Sequence, residues 1–229
     1  MKSELEQIIK TLKTHGSARN VKGMARFGIV TPKAFGVPAP FMRSYARTLG
    51  TNHKLALSLW DTGILETRIL AALVGDPKQV TRKLMNAWVR DFDNWAVCDG
   101  TCGNLFDKTP FAFAMAIRWT TRRSEFVKRV GFVLMAELAV HNKDAPDRNF
   151  VQCLPVIKRE SRDERNFVKK AVNWALRQIG KRNPRLNAAA IKAAKEIRAI
   201  ESPSARWIAA DALRELESNA VQIRLRRKK

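Results

Sequence analysis

Trp95 and Asp99 stand four residues apart in the run Asp93-Asn94-Trp95-Ala96-Val97-Cys98-Asp99. On a helix that spacing puts an indole and a carboxylate on one face, one turn apart. Asp93 or Asn94 is suited to cap the start of such a helix. An anion beside an electron-rich ring face stabilises positive charge, which makes the pair a candidate for cation-stabilising chemistry. The competing use of Asp99 is structural: a bond to a backbone amide, or a pair with an arginine from the next helix. A second indole, Trp174, lies between Arg165 and Lys181. At about 100° per residue, Asn166, Lys170, Asn173, Trp174, Arg177 and Lys181 share one stripe. The apolar residues Phe167, Val168, Ala171, Val172, Ala175, Leu176 and Ile179 take most of the remaining circumference. Two uses fit such a stripe. Its cations can meet phosphates while the ring meets a sugar or base, or the tryptophan can pack at the core boundary under a neighbouring helix. Arg129, in Glu125-Phe126-Val127-Lys128-Arg129-Val130-Gly131-Phe132, can reach a phosphate or orient Asp99 through a bidentate pair.

Other chemistries lack their residues. No Ser-His-Asp arrangement, glycine-rich phosphate loop or pair of glycosidase carboxylates stands out. Cys98 and Cys102 sit four apart near Asp99, but His15, His53 and His141 are scattered and no second cysteine pair exists. The reading is therefore two reduced helix cysteines, no metal and no disulfide framework.

Charge narrows the partner. Lysine plus arginine total 43 against 21 aspartate plus glutamate, a formal net charge of +22. Such a surplus concentrates polyanions around the chain, and nucleic acid is the first candidate. No apolar run reaches membrane-spanning length. The N-terminus Met1-Lys2-Ser3-Glu4-Leu5-Glu6 mixes charges and lacks a signal region, so a soluble cytoplasmic protein is expected.

The elements that must position these residues read as helices nearly throughout. Turn signals separate the periodic blocks at Gly36-Val37-Pro38, Gly50-Thr51-Asn52, Gly75-Asp76-Pro77, Lys108-Thr109-Pro110, Asp144-Ala145-Pro146, Asn183-Pro184 and Ser202-Pro203. Several place a capping side chain before a proline at the first helical position. Twelve or thirteen helices with short loops imply antiparallel neighbours. The expected fold is all-α, a solenoid of antiparallel helix pairs over residues 1–218, with a compact irregular bundle as the alternative. No strict sequence period is present. Residues 219–229 form a basic C-terminal tail; its run Arg224-Leu225-Arg226-Arg227-Lys228-Lys229 is expected to fray, and it either touches phosphates or is simply solvated.

Taken in order, these segments resemble the DNA alkylation repair (AlkD-like) family of HEAT-repeat DNA glycosylases. Met24-Ala25-Arg26-Phe27 followed by Gly36-Val37-Pro38-Ala39-Pro40-Phe41-Met42-Arg43 is similar to its opening motif. Trp95 to Asp99 resembles its tryptophan-to-aspartate segment, and Phe126-Val127-Lys128-Arg129 its arginine segment. Phe167 to Arg177, with Trp174 inside it, resembles its last motif. The resemblance covers about residues 24 to 216. It implies a HEAT-like fold and base-excision removal of N3- or N7-alkylated purines, without metal or organic cofactor, by a family that can act with the base still stacked. The implied partner is double-stranded DNA containing alkylated bases, with no membrane, no obligate protein partner and a monomeric state. Asp99 is implied as catalytic carboxylate, Trp95 and Trp174 as walls of the lesion nucleotide, and Arg129 as their support. Phe27, Arg43, Lys170, Arg177, Lys181 and Arg182 are the expected DNA contacts, Lys170, Arg177 and Lys181 among them on the strength of the basic stripe. The motif helices are expected to bring Trp95, Asp99, Arg129 and Trp174 to one concave face. Phe27 stands where the family often has tyrosine; its ring can stack but offers no hydroxyl. The segment from His141 to Asp147 also reads as an extension.

Two other classes compete. A non-catalytic relative recognising bent, gapped or branched DNA would keep the basic groove but lose the carboxylate or an indole. A protein-binding helical scaffold would not need so large a positive charge.

Overall fold

The computed structural model describes residues 2–227. All regular elements among them are helical, with no strand among the described residues. The chain divides into two compact units, Met1–Thr109 and Pro110–Lys229.

The first unit holds α1 (Lys2–Thr14), α2 (Ala18–Ala25), α3 (Ala39–Leu49), α4 (His53–Asp61), α5 (Leu65–Val74), α6 (Arg82–Trp88) and α7 (Trp95–Asn104), with short 3-10 turns after α5, α6 and α7. Helices α4 and α5 pack as a pair, and α5 also packs on α3 and α7. Leu59, Leu70, Met85, Leu105 and Phe106 fill the core between them. Trp60 and Trp88 stack face to face, 4.0 Å between ring centroids, and Trp60 Nε1 donates to Asp91 Oδ2 at 2.8 Å. A buried tryptophan thus keeps its one donor satisfied.

The second unit holds α8 (Ala112–Trp119), α9 (Glu125–His141), α10 (Arg148–Val151), α11 (Cys153–Glu160), α12 (Asn166–Gly180), α13 (Pro184–Arg198), α14 (Pro203–Leu216) and α15 (Asn219–Arg226). A structural repeat is written in its hydrogen bonds. Arg129 to Phe167, Lys158 to Glu196, Asn173 to Asp211 and Arg177 to Glu215 each join residues 38 positions apart. Helices α9, α12 and α14 therefore run parallel as one layer, and α11 and α13 belong to a second. In the first unit the corresponding offset is shorter. Phe35, Gly36 and Val37 bond to Glu66, and Trp60 to Asp91, across 29 to 31 positions. The repeat lacks a sequence period because different residue types make the equivalent contact at each level.

Capping chemistry explains where the helices start. Asn52, Thr81, Asn94, Asn183 and Ser202 each accept, through a side-chain oxygen, the amide three residues on. Asn183-Pro184 and Ser202-Pro203 combine that cap with a proline in the first turn. The described residues hold more helices than the twelve or thirteen read from periodicity. The helical stretch at 148–160 is divided at Gln152 into α10 and α11. Helix α15 is capped by Ser218 and anchored by buried Val221 and Leu225, and it takes in Arg224, Leu225 and Arg226 of the run expected to fray. Lys228 and Lys229 of that tail lie outside the described residues.

Candidate active site and nucleic-acid interface

In the first unit, Asn94 is buried and caps α7, with its side-chain amide held by Asp93 Oδ1 at 2.6 Å. The cap fixes the first turn of α7, and with it Trp95. Trp95 is half-buried, and its Nε1 donates to the main-chain carbonyl of Phe27 at 2.8 Å. Asp99 follows one turn later on the same helix, also half-buried. The Phe27 side chain itself is 71% exposed.

A groove of about 990 Å³ opens against Trp95, with Phe27, Ile29, Val37 and Pro38 among its walls. Arg19, Lys22 and Arg26 line it from α2 and its C-terminal end, all exposed, and no carboxylate belongs to the lining. Spaced at about one turn, the three cations share a helix face. Sequence reasoning missed Arg19 and Lys22, although that spacing was there to be seen. It also missed Glu66. This buried carboxylate accepts the amides of Phe35, Gly36 and Val37 at 3.0, 2.7 and 3.3 Å and so fixes the loop that supplies Val37 and Pro38. Gly36 belongs there for two reasons: its φ is +78°, and a Cβ would meet the Ser17 carbonyl oxygen at 2.3 Å. Arg43 is exposed on α3.

In the second unit, Arg129 is buried on α9 and donates through Nη1 to the Phe167 carbonyl at 2.6 Å. It thereby joins α9 to the first turn of α12, the helix that carries Trp174. Trp174 is half-buried and Lys170 exposed. Three more residues of the polar stripe turn to α14. Asn173 Nδ2 donates to Asp211 Oδ2, Arg177 Nη1 to Glu215 Oε2 and Lys181 Nζ to Glu215 Oε1, each at 2.6 Å. Burial pushes the Glu215 carboxyl up, but the Lys181 hydrogen bond and the Arg177 and Lys181 charges outweigh it and hold the group below its ordinary range. Arg177 and Lys181 are thus in ion pairs within the fold, which a helical wheel could not foresee.

Arg182 also has an employment inside the protein. Its guanidinium donates to the carbonyls of Ala139, Asn142, Lys143 and Ala145 and lies 4.1 Å from the Phe150 ring centroid. It clamps the extension after α9, where the sequence reading assigned it to DNA. Cys98, Cys102 and Cys153 are free and buried. Among the described residues no three histidine, cysteine or acidic side chains gather as a metal set, and no helix is long and apolar enough to cross a membrane.

Comparison with known proteins places the chain in a family. The fold matches a solved structure described as "a new family of proteins related to the HEAT-like repeat DNA glycosylases with affinity for branched DNA structures", with a TM-score of 0.77 at 19% identity. The match covers 93% of this chain and 95% of that one. The comparison with curated proteins gives no match. The family described as DNA alkylation repair enzyme matches residues 8–216, which span α7, α9 and α12. The chain therefore belongs to the DNA alkylation repair enzyme family and has an all-α, HEAT-like repeat fold.

Proposed function

We propose that this protein is a DNA N-glycosylase that hydrolyses the bond between deoxyribose and an N3- or N7-alkylated purine in duplex DNA. The observation that carries the reading is on α7: Trp95, fixed by a hydrogen bond, lines a groove that Arg19, Lys22 and Arg26 also line, and Asp99 lies one turn along the same helix. Alkylation leaves the purine cationic. When its bond to C1′ breaks, the base departs neutral with the electron pair, and the sugar develops oxocarbenium character. Rate is gained by favouring that charge more in the transition state than in the ground state. Asp99 is the anion assigned to this role, and it also positions the water that adds to C1′ and releases its proton to the solvent. Trp95 and Trp174 are assigned to the lesion nucleotide, where each indole face supplies about 0.5–2 kcal/mol of cation–π attraction. A general acid for the base is unnecessary because the leaving group is already activated. Phosphate contacts are assigned to Arg19, Lys22, Arg26, Arg43 and Lys170. Arg177 can join them only in competition with Asp211 and Glu215, and Lys181 only in competition with Glu215.

The test is incubation with duplexes carrying 7-methylguanine or 3-methyladenine, scoring free base and abasic sites. Release of the alkylated base is expected. No release from either duplex would overturn the reading. A second reading has one observation behind it, the branched-DNA affinity described for the structural neighbour. Tighter binding to a four-way junction than to linear duplex, with no base released, would move the assignment to a non-catalytic DNA-binding protein.

A further inference from the structure

Helix α2 ends in an arrangement that fixes one carbonyl. The amide of Gly28 donates to the Ala25 carbonyl at 3.0 Å, and the amide of Ile29 reaches back to the Met24 carbonyl at 3.1 Å. Together these form the paired bonds of a Schellman turn, with Gly28 in the left-handed position at φ +76°. Ile29 is buried while its neighbours Phe27 and Val30 are exposed, so it anchors the turn. The carbonyl of Phe27 takes no part in those backbone bonds. It accepts the indole Nε1 of Trp95, 68 residues further along the chain.

We infer that the turn from Ala25 to Ile29 is a positioning latch for Trp95, acting through the Phe27 main-chain carbonyl. The direction of that carbonyl is set by two torsions, ψ of Phe27 and φ of Gly28. Gly28 is therefore the positioning residue, because only a residue at ease with positive φ keeps the Phe27–Gly28 peptide turned toward the indole. The indole has one donor and the carbonyl is its partner, so flipping the peptide releases the ring to rotate. A reacting group displaced by even a fraction of its own width loses much of its rate advantage. The effect on rate rests on the glycosylase reading; the latch itself does not.

The test has two readouts. Proton–nitrogen spectra, with the Trp95 indole resonance assigned through Trp95→Phe, give the exchange rate of its Nε1 proton with solvent. Single-turnover release of 7-methylguanine gives the chemical step. In the wild type the Trp95 proton should exchange more slowly than that of free N-acetyltryptophanamide. Gly28→Val, whose branched side chain is excluded from positive φ, should abolish that protection and slow base release roughly tenfold, with duplex Kd near wild type. Gly28→Asn should recover both, because asparagine enters the left-handed region readily. A wild-type Nε1 proton exchanging like free indole overturns the latch, and this measurement decides alone should Gly28→Val not fold. Protection lost without loss of rate, or rate lost with protection intact, overturns the positioning role. A wild type that releases no base removes the glycosylase reading and leaves the exchange data to judge the turn.

Discussion

Arg129 carries a full charge into the interior of the second unit, where its guanidinium meets the Phe167 carbonyl. Sequence reasoning left it between a phosphate and Asp99, and the structure adds a third use, holding α9 to α12. Arg129→Ala should lower stability by about 1.5–3 kcal/mol in urea titrations, as for a lost charged hydrogen bond. Arg129→Lys should recover only part, since a lysine lacks the planar fork. Trp174 behaves differently under the proposed function. Trp174→Ala should weaken both the rate of base release and the preference for methylated over plain duplex, because the ring is assigned to the nucleotide before and during cleavage. A variant that changes stability alone would mark Trp174 as a boundary packing residue. Asn94 shows what residue types can reveal: its cap on α7 was legible from Asp93-Asn94-Trp95. The employment of Arg182 was not, because its four carbonyl acceptors lie 37 to 43 positions away.

Between neighbouring elements, pairing across a layer decides which cations are available. Helix α14 presents Asp211 and Glu215 to α12, and Glu215 takes both Arg177 and Lys181. Glu215→Gln should release Lys181 and leave Arg177 only its longer, 3.5 Å contact with Asp211. Duplex binding should tighten and its salt dependence steepen by about 0.9 for each phosphate gained, at a cost of about 0.5–1 kcal/mol of stability. An unchanged salt slope would show that neither cation can reach DNA. A second cluster joins α9 to the loop before α12. Asp163 meets Lys128 at 2.8 Å and Arg165 at 2.6 Å. Burial pushes the Asp163 carboxyl up, but its hydrogen bonds from Arg165 and Lys128 prevail and hold it at about 2, below its ordinary 3.8. A depressed carboxyl stabilises the fold above its unfolded value and loses that contribution as pH falls through the folded one. Thermal melts between pH 4 and pH 2 should therefore fall more steeply for wild type than for Asp163→Asn. Parallel slopes would contradict the assignment. The helices themselves were readable from periodicity, caps and prolines. Their partners were not, because the 38-residue offset is a spatial repeat with no matching repeat of residue types.

For the whole molecule the dominant fact is the charge of +22, and family membership gives that charge a partner. Composition and four ordered motifs were enough to read the helical-repeat fold and the family. They missed the row of Arg19 and Lys22 beside Arg26, because that helix was weighed only for its motif residues. Duplex affinity should fall linearly on a logarithmic salt scale, by about 0.9 per phosphate contacted. Replacing Arg19, Lys22 and Arg26 together with glutamine should flatten that slope, whatever the DNA sequence. A triple variant with the wild-type slope would place the DNA elsewhere. The central claim is that the Asp99 carboxylate drives base release, and single-turnover release of 7-methylguanine by wild type and Asp99→Asn, beside binding curves for both, tests it most directly. Asparagine keeps the shape and removes the charge. If the carboxylate supplies ~3–4 kcal/mol of transition-state stabilisation, the rate should drop by roughly two to three orders of magnitude, with binding intact or tighter. Asp99→Asn releasing base at the wild-type rate would contradict the account and return Asp99 to a structural role.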